Sequence, residues 1–291
     1  MSPTSLSTPQ VQQGFIDLPG TRLHYAASGD GPPLIIVPAT VSLIRQWLPL
    51  VQFMGLRFRA YFFELPGHGA SSPYPTRFSS HLVPGTVEAL ADRLGYSSIS
   101  LMGFSFGGLL ALRTLEALHA RVDRVILLSP LVSRRALRYS ARRQWTLKQA
   151  ARVLRNSSAQ RAALRVMRTR ALHKPLIYAL SRFSKIAPSI LESKDALDIP
   201  ASTLDVLAHT LDEILTTEFS PRQPFSTPCY FAMSVNDDLI AYPLTEQLIR
   251  SSFQNLRVQA FNHPYHQPPH PPSFAWLVAE FYPFLQMLDI R

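Results

Sequence analysis

The run Gly103-Phe104-Ser105-Phe106-Gly107-Gly108 sets one serine hydroxyl among small residues, directly after the apolar stretch Ile99-Ser100-Leu101-Met102 and directly before an apolar helical pattern. A serine on so sharp a strand-to-helix turn takes strained backbone angles, and small residues two positions to either side let the chain close up there. Gly103 and Gly107 occupy those places. Such a turn exposes the hydroxyl, and the amide of Phe106, at the helix start, can donate to a developing oxyanion. The chemistry this pattern suits is nucleophilic attack by Ser105.

A serine hydroxyl is a poor nucleophile until a base takes its proton, and the base needs a third group to orient it. Candidates for the acid stand four and five residues past Met233, in Ser234-Val235-Asn236-Asp237-Asp238; Asp237 fits best, and its neighbour Asp238 is the alternative. Asn and Asp are also ordinary turn residues. Three histidines, His263, His266 and His270, follow the apolar strand pattern that ends at Phe261. His266 is the expected base, His263 its rival, and His270 lies further along among prolines. The same three histidines lack an acidic or thiolate companion and make a poor metal site, so neither metal nor cofactor is expected.

Strands must deliver these groups. Residues 14–28 read as a hairpin around Pro19-Gly20, with Leu23 and Tyr25 alternating against Arg22 and His24. Leu34-Ile35-Ile36-Val37, Arg59-Ala60-Tyr61-Phe62-Phe63, Ile99-Ser100-Leu101-Met102 and Val125-Ile126-Leu127-Leu128 are short apolar runs of the kind buried on both faces of a parallel sheet. Helical patterns over about 84–94 and 108–119 alternate with them, which implies an α/β architecture with right-handed crossovers. From about 131 to 227 the pattern is helical only, with Trp145, Ala151 and Leu154 sharing one spacing and Ala163, Val166, Met167 and Leu172 another. Strand patterns return at 229–233 and 256–261, the proline-rich stretch 264–272 is a loop, and a helix over 274–288 closes the sequence. The expected organisation is a loose tail over 1–13, a core over 14–130 and 228–291, and an inserted helical cap over 131–227.

The sequence has 291 residues, 46% apolar and 16% charged, enough to bury a core and too apolar for a disordered chain. No apolar stretch nears the ~20 residues of a membrane helix, and MSPTSLSTPQ lacks the basic and apolar regions of a secretory leader. The single cysteine, Cys229, can form neither an intrachain disulfide nor a thiolate metal cage. Cytoplasm is the expected compartment. The net charge of +10 is concentrated: 16 of the 29 Lys and Arg lie between Arg134 and Lys194, where Glu192 is the one acidic residue.

In the order Ser105, Asp237, His266 the sequence resembles the α/β-hydrolase superfamily over nearly its whole length, roughly 14–288. Glu64-Leu65-Pro66-Gly67-His68-Gly69-Ala70-Ser71 looks like the Asp-x-Pro-Gly-x-Gly-x-Ser turn of the single-domain, lid-bearing hydrolases of this fold, and residues 131–227 match the place of their lid. The resemblance implies a mostly parallel central sheet flanked by helices. It also implies covalent acyl transfer, with His266 as base, Asp237 orienting it, and the amides of Phe106 and Thr40 as oxyanion donors. Thr40 enters by position only, because Pro38-Ala39 replaces the usual His-Gly; Tyr265 likewise stands where glycine usually precedes the histidine. A serine at the turn argues against the carboxylate-nucleophile chemistry of dehalogenases and epoxide hydrolases. The expected substrate is a carboxylic ester or thioester with an apolar acyl group. An acyltransferase, a C–C hydrolase, or a catalytically silent member of the fold that binds a small hydrophobic ligand are the alternatives.

The arginine-rich helices of 134–194 have two readings. One is a solvated outer face; the other is a basic amphipathic lid resting on an anionic membrane surface. Nucleic acid is not expected, since no reading motif accompanies the charge.

Overall fold

The computed structural model describes residues 7–40, 42–169, 200–268 and 272–288. Its centre is one eight-stranded sheet in the order β1-β2-β4-β3-β5-β6-β7-β8. The strands are β1 (Val11–Leu18), β2 (Thr21–Ser28), β3 (Pro33–Val37), β4 (Arg59–Phe63), β5 (Ile99–Phe104), β6 (Val122–Leu128), β7 (Cys229–Ser234) and β8 (Leu256–Phe261). The first hairpin is antiparallel and β2 runs antiparallel to β4; every other pairing is parallel. This is the mostly parallel sheet that the short apolar runs imply.

The helices are α1 (Ile44–Met54), α2 (Val83–Arg93), α3 (Phe106–Ala117), α4 (Ala141–Leu154), α5 (Ser157–Arg168), α6 (Ala201–Ile214), α7 (Tyr242–Ser252) and α8 (Phe274–Met287). Alternating side chains of each central strand feed two cores. Ile35, Val37, Leu101 and Phe231 join residues of α2, α3 and α7 on one face. Leu34, Ile36, Phe62, Met102 and Ala232 join α1 and α8 on the other. The central strands are apolar at successive positions because both of their faces are covered.

Three local readings change. Residues 11–13, assigned to the tail, belong to β1, where Val11, Gln12 and Gln13 pair with Ser28, Ala27 and Ala26. Edge pairing uses backbone groups and asks for no apolar pattern. Helix α3 runs from Phe106, two residues before the 108–119 pattern, so Gly107 and Gly108 lie in its first turn. On α4 the buried side chains are Leu147 and Ala151, while Trp145 is 65% exposed. The apolar face is thus rotated from the spacing that included Trp145. The second apolar spacing runs to Leu172, which lies outside the described residues, as does His270. Helices α4, α5 and α6 follow β6 and precede β7, and α4 and α5 both pack on α6. No described helix is long and apolar enough to cross a membrane.

Candidate active site

Register brings the functional side chains to one edge of the sheet. Val37 of β3 is paired with Gly103 of β5, Phe104 with Leu128 of β6, Leu128 with Ala232 of β7, and Ser234 with Phe261 of β8. The loops that leave these parallel strands therefore emerge side by side, which is where ligands bind in such sheets. Thr40, Ser105, Asp237 and His266 each lie within a few residues past a strand end.

Ser105 connects β5 to α3 with φ 54° and ψ −122°, a conformation that an L-residue adopts only at a cost of ~1–3 kcal/mol. Its surroundings hold it there. The Ser105 amide donates to the Leu128 carbonyl at 3.0 Å, and the Ser105 carbonyl accepts from Gly108 at 3.0 Å and Leu131 at 2.9 Å. A Cβ on Gly103 would collide with the carbonyl of Gly107, and one on Gly107 would sit 2.5 Å from the carbonyl oxygen of Val37. Both glycines are required by close approach, the second because the start of the Thr40 loop presses on the first turn of α3.

His266 reaches both of its expected partners. Its Nε2 is 2.9 Å from Ser105 Oγ and its Nδ1 is 2.7 Å from Asp237 Oδ2. Asp237 is 1% exposed. Burial by itself would push its carboxyl up. The hydrogen bond and charge of His266, together with the amides of Ile240 and Leu239, outweigh burial and hold it below the usual carboxylate range. Those amides donate to Oδ1 at 2.8 and 2.9 Å. An ionised carboxylate only accepts, so Nδ1 carries the ring proton and Nε2 is left to accept from Ser105 Oγ–H.

The rivals do other work. Asp238 Oδ1 accepts from the backbone amide of His266 at 2.9 Å, fixing the loop that carries the imidazole. His263 stacks on Tyr265, with centroids 5.3 Å apart, and its Nε2 lies 3.8 Å from Glu280. Its backbone is tied to Ser234, whose hydroxyl accepts from the His263 amide at 2.9 Å and donates to the His263 carbonyl at 2.6 Å.

A model of the alpha/beta hydrolase family matches residues 34–279. The chain belongs to the alpha/beta hydrolase family. It is 31% identical over 125 residues to an N-formylmaleamate deformylase of Pseudomonas putida, a match covering 42% of this chain and 47% of that protein. It is 31% identical over 116 residues to a pimeloyl-[acyl-carrier protein] methyl ester esterase of Nitrosomonas europaea, covering 39% and 44%. Both matches span less than half the length of the relative. The fold is also that of a crystal structure described as a lipase candidate from Acinetobacter baumannii, with a TM-score of 0.69 at 14% identity over 95% of this chain and 91% of that one.

Some contacts in this alpha/beta hydrolase go beyond what its motifs disclose. Phe104, a free position in the glycine-serine-glycine spacing, stacks on the His266 ring with centroids 5.0 Å apart. Glu64, 4% exposed, accepts from the amides of Ile44 at 3.1 Å and Ala70 at 2.7 Å and faces His24 Nδ1 at 3.1 Å. It thereby ties the turn after β4 to the first residue of α1, where the Thr40 loop ends. The amide of Phe106 is among the first four of α3, which have no acceptor within the helix. Thr40 lies on the loop between β3 and α1, with its hydroxyl buried and unpartnered among the described residues. Among those residues no group of three or more His, Cys, Asp or Glu could hold a metal ion. Cys229 is fully buried and burial pushes its thiol well up, so it offers no second nucleophile.

Proposed function

We propose that this alpha/beta hydrolase is a serine hydrolase that cleaves a carboxylic ester or thioester with an apolar acyl group. The observation that carries the reading is a single imidazole bridging Ser105 Oγ at 2.9 Å and a buried carboxylate at 2.7 Å. Ser105 Oγ attacks the carbonyl carbon while His266 Nε2 takes its proton, and Asp237 holds Nδ1–H and stabilises the imidazolium. The amides of Phe106 and Thr40 receive the negative charge of the tetrahedral intermediate. The imidazolium then protonates the departing alkoxide or thiolate, leaving an acyl-Ser105. Water, deprotonated by the same nitrogen, attacks that acyl group and restores the hydroxyl, so the products are one carboxylic acid and one alcohol or thiol.

The relatives' names support bond cleavage at a carbonyl: one is a deformylase and the other a methyl ester esterase. We further propose that residues 131–227 are an inserted cap on a core of 14–130 and 228–291, which residues 11–13 join through β1. The outer face of this cap, with its exposed arginines and Trp145, suits peripheral contact with an anionic membrane. A fluorophosphonate probe tests the nucleophile. Folded protein is expected to be labelled stoichiometrically and the Ser105→Ala variant not at all; a folded, unlabelled wild type would refute the hydrolase reading and leave a ligand-binding member of the fold.

A further inference from the structure

On the sheet face covered by α1 and α8, against the imidazole of His266, lies a cavity of about 430 Å³. Its walls include Trp47 of α1, Phe104 and Ala232 of the sheet, Trp276 and Leu277 of α8, and the His266 ring itself. Phe104 stacks on His266 and lies 5.6 Å from Trp47, centroid to centroid. Phe104 and His266, the chain neighbour and the hydrogen-bond partner of Ser105, thus line the cavity, while Ser105 itself stands beyond them.

Protein interiors pack as densely as organic crystals, and voids larger than a water molecule are few. Arg45, Gln46, His263 and Gln267 also line the cavity, but its lining surface is mostly apolar, and its volume falls in the range of small-molecule sites. The indole, phenyl and isobutyl groups of its wall favour an apolar guest over a polar one. We propose that the cavity receives the acyl chain of the substrate, running from the carbonyl at Ser105 past Phe104 into the space between α1 and α8. This rests on the reading of Ser105 as nucleophile and adds where the acyl chain goes. The acyl limb stays covalently attached through the second half of the reaction, so a recessed pocket suits it. The alcohol limb must leave after the first half and needs an open path.

Each methylene buried in such a pocket is worth about fourfold in kcat/KM. With p-nitrophenyl esters from acetyl to dodecanoyl, kcat/KM is expected to climb by about that factor per methylene until the cavity is full. Ala232→Phe, which fills the space, moves the optimum to shorter chains, and Leu277→Ala, which enlarges it, moves the optimum to longer ones. Acetate esters of lengthening alcohols keep one profile in all three proteins. Trp47 and Trp276 supply a second readout: in a Trp145→Phe background, decanoic acid is expected to change their emission saturably, and Ala232→Phe weakens that response at least tenfold. Unmoved acyl profiles, a shift confined to the alcohol series, or no saturable emission change would each overturn the assignment. Fluorophosphonate labelling read on the same samples separates the two failures. Lost label removes the nucleophile and the cavity's role with it, whereas intact label with unmoved profiles removes the cavity's role alone.

Discussion

Two adjacent carboxylates face different parts of one histidine, and that difference makes them separable. Asp237 accepts from Nδ1 of the ring, whereas Asp238 accepts from the His266 backbone amide. Asp237→Asn can turn a donor toward Nδ1, which moves the ring proton to Nε2 and removes the acceptor that Ser105 needs; a loss in kcat on the order of 10⁴ is expected. Asp238→Asn keeps an oxygen for the amide and is expected to cost less than about tenfold, while Asp238→Ala leaves that amide unpaired, a penalty of about 1–3 kcal/mol. Steady-state kinetics on one ester checks the first two, and urea unfolding the third. Equal losses in Asp237→Asn and Asp238→Asn would mean that the carboxylate on Nδ1 has no special part. Neighbouring residues of a loop cannot be ranked from spacing, because which of them turns inward depends on the amides of Leu239 and Ile240 that fold around Asp237.

At the scale of the elements, the turn 64–71 links β4 to the start of α1. Glu64→Gln must set its amide NH₂ against a backbone N–H of Ile44 or Ala70 and also changes the acceptor that faces His24, so a stability loss of about 1–3 kcal/mol is expected. A fall in kcat larger than the rise in KM should accompany it, because the helix start that anchors the Thr40 loop shifts; urea unfolding and kinetics read the two effects. His68 in the same turn is fully buried, and burial pushes its imidazole down to about 4. Between about pH 4 and the ordinary histidine range near 6.5 the unfolded chain takes up a proton that the folded chain refuses, so stability falls as pH drops through that window. The loss reaches about 3 kcal/mol at pH 4, and unfolding free energies at pH 7, 5.5 and 4 should be flatter in a His68→Asn variant. The same elements separate what the residues disclose from what they hide. Buried parallel strands are legible as apolar runs, and the serine turn as glycines that close approach demands. Helix α1 is not legible, because Pro49 interrupts its pattern, and α7 is only eleven residues long with three buried side chains. The buried face of α4 is not legible either, because the largest apolar residue on that helix, Trp145, points outward.

Across the whole molecule, the outward direction of Trp145 carries an argument of its own. Several basic residues around α4 to α6 are neutralised at home: Arg134 and Arg135 lie 3.3 and 3.2 Å from Glu218, and Arg155 lies 2.8 Å from Asp212. Arg142, Arg152, Arg161 and Arg165 are exposed, and among the described residues none of them forms an ion pair with a carboxylate. Trp145, Val153 and Val166 are 65%, 61% and 41% exposed on the same two helices. Arginines with no carboxylate partner among the described residues, beside an exposed indole, suit the headgroup layer of an anionic bilayer, where each basic residue is worth about 1 kcal/mol. The protein is expected to sediment with vesicles of phosphatidylcholine and phosphatidylserine, to release at high salt as screening shortens the reach of its charges, and to ignore phosphatidylcholine alone. Trp145→Ala, with charge unchanged, should weaken the association several-fold, and Arg142→Glu with Arg152→Glu should abolish it while Ser105 remains reactive toward fluorophosphonate. Sedimentation indifferent to lipid charge would leave α4 and α5 as a face turned to water, with their arginines serving solubility.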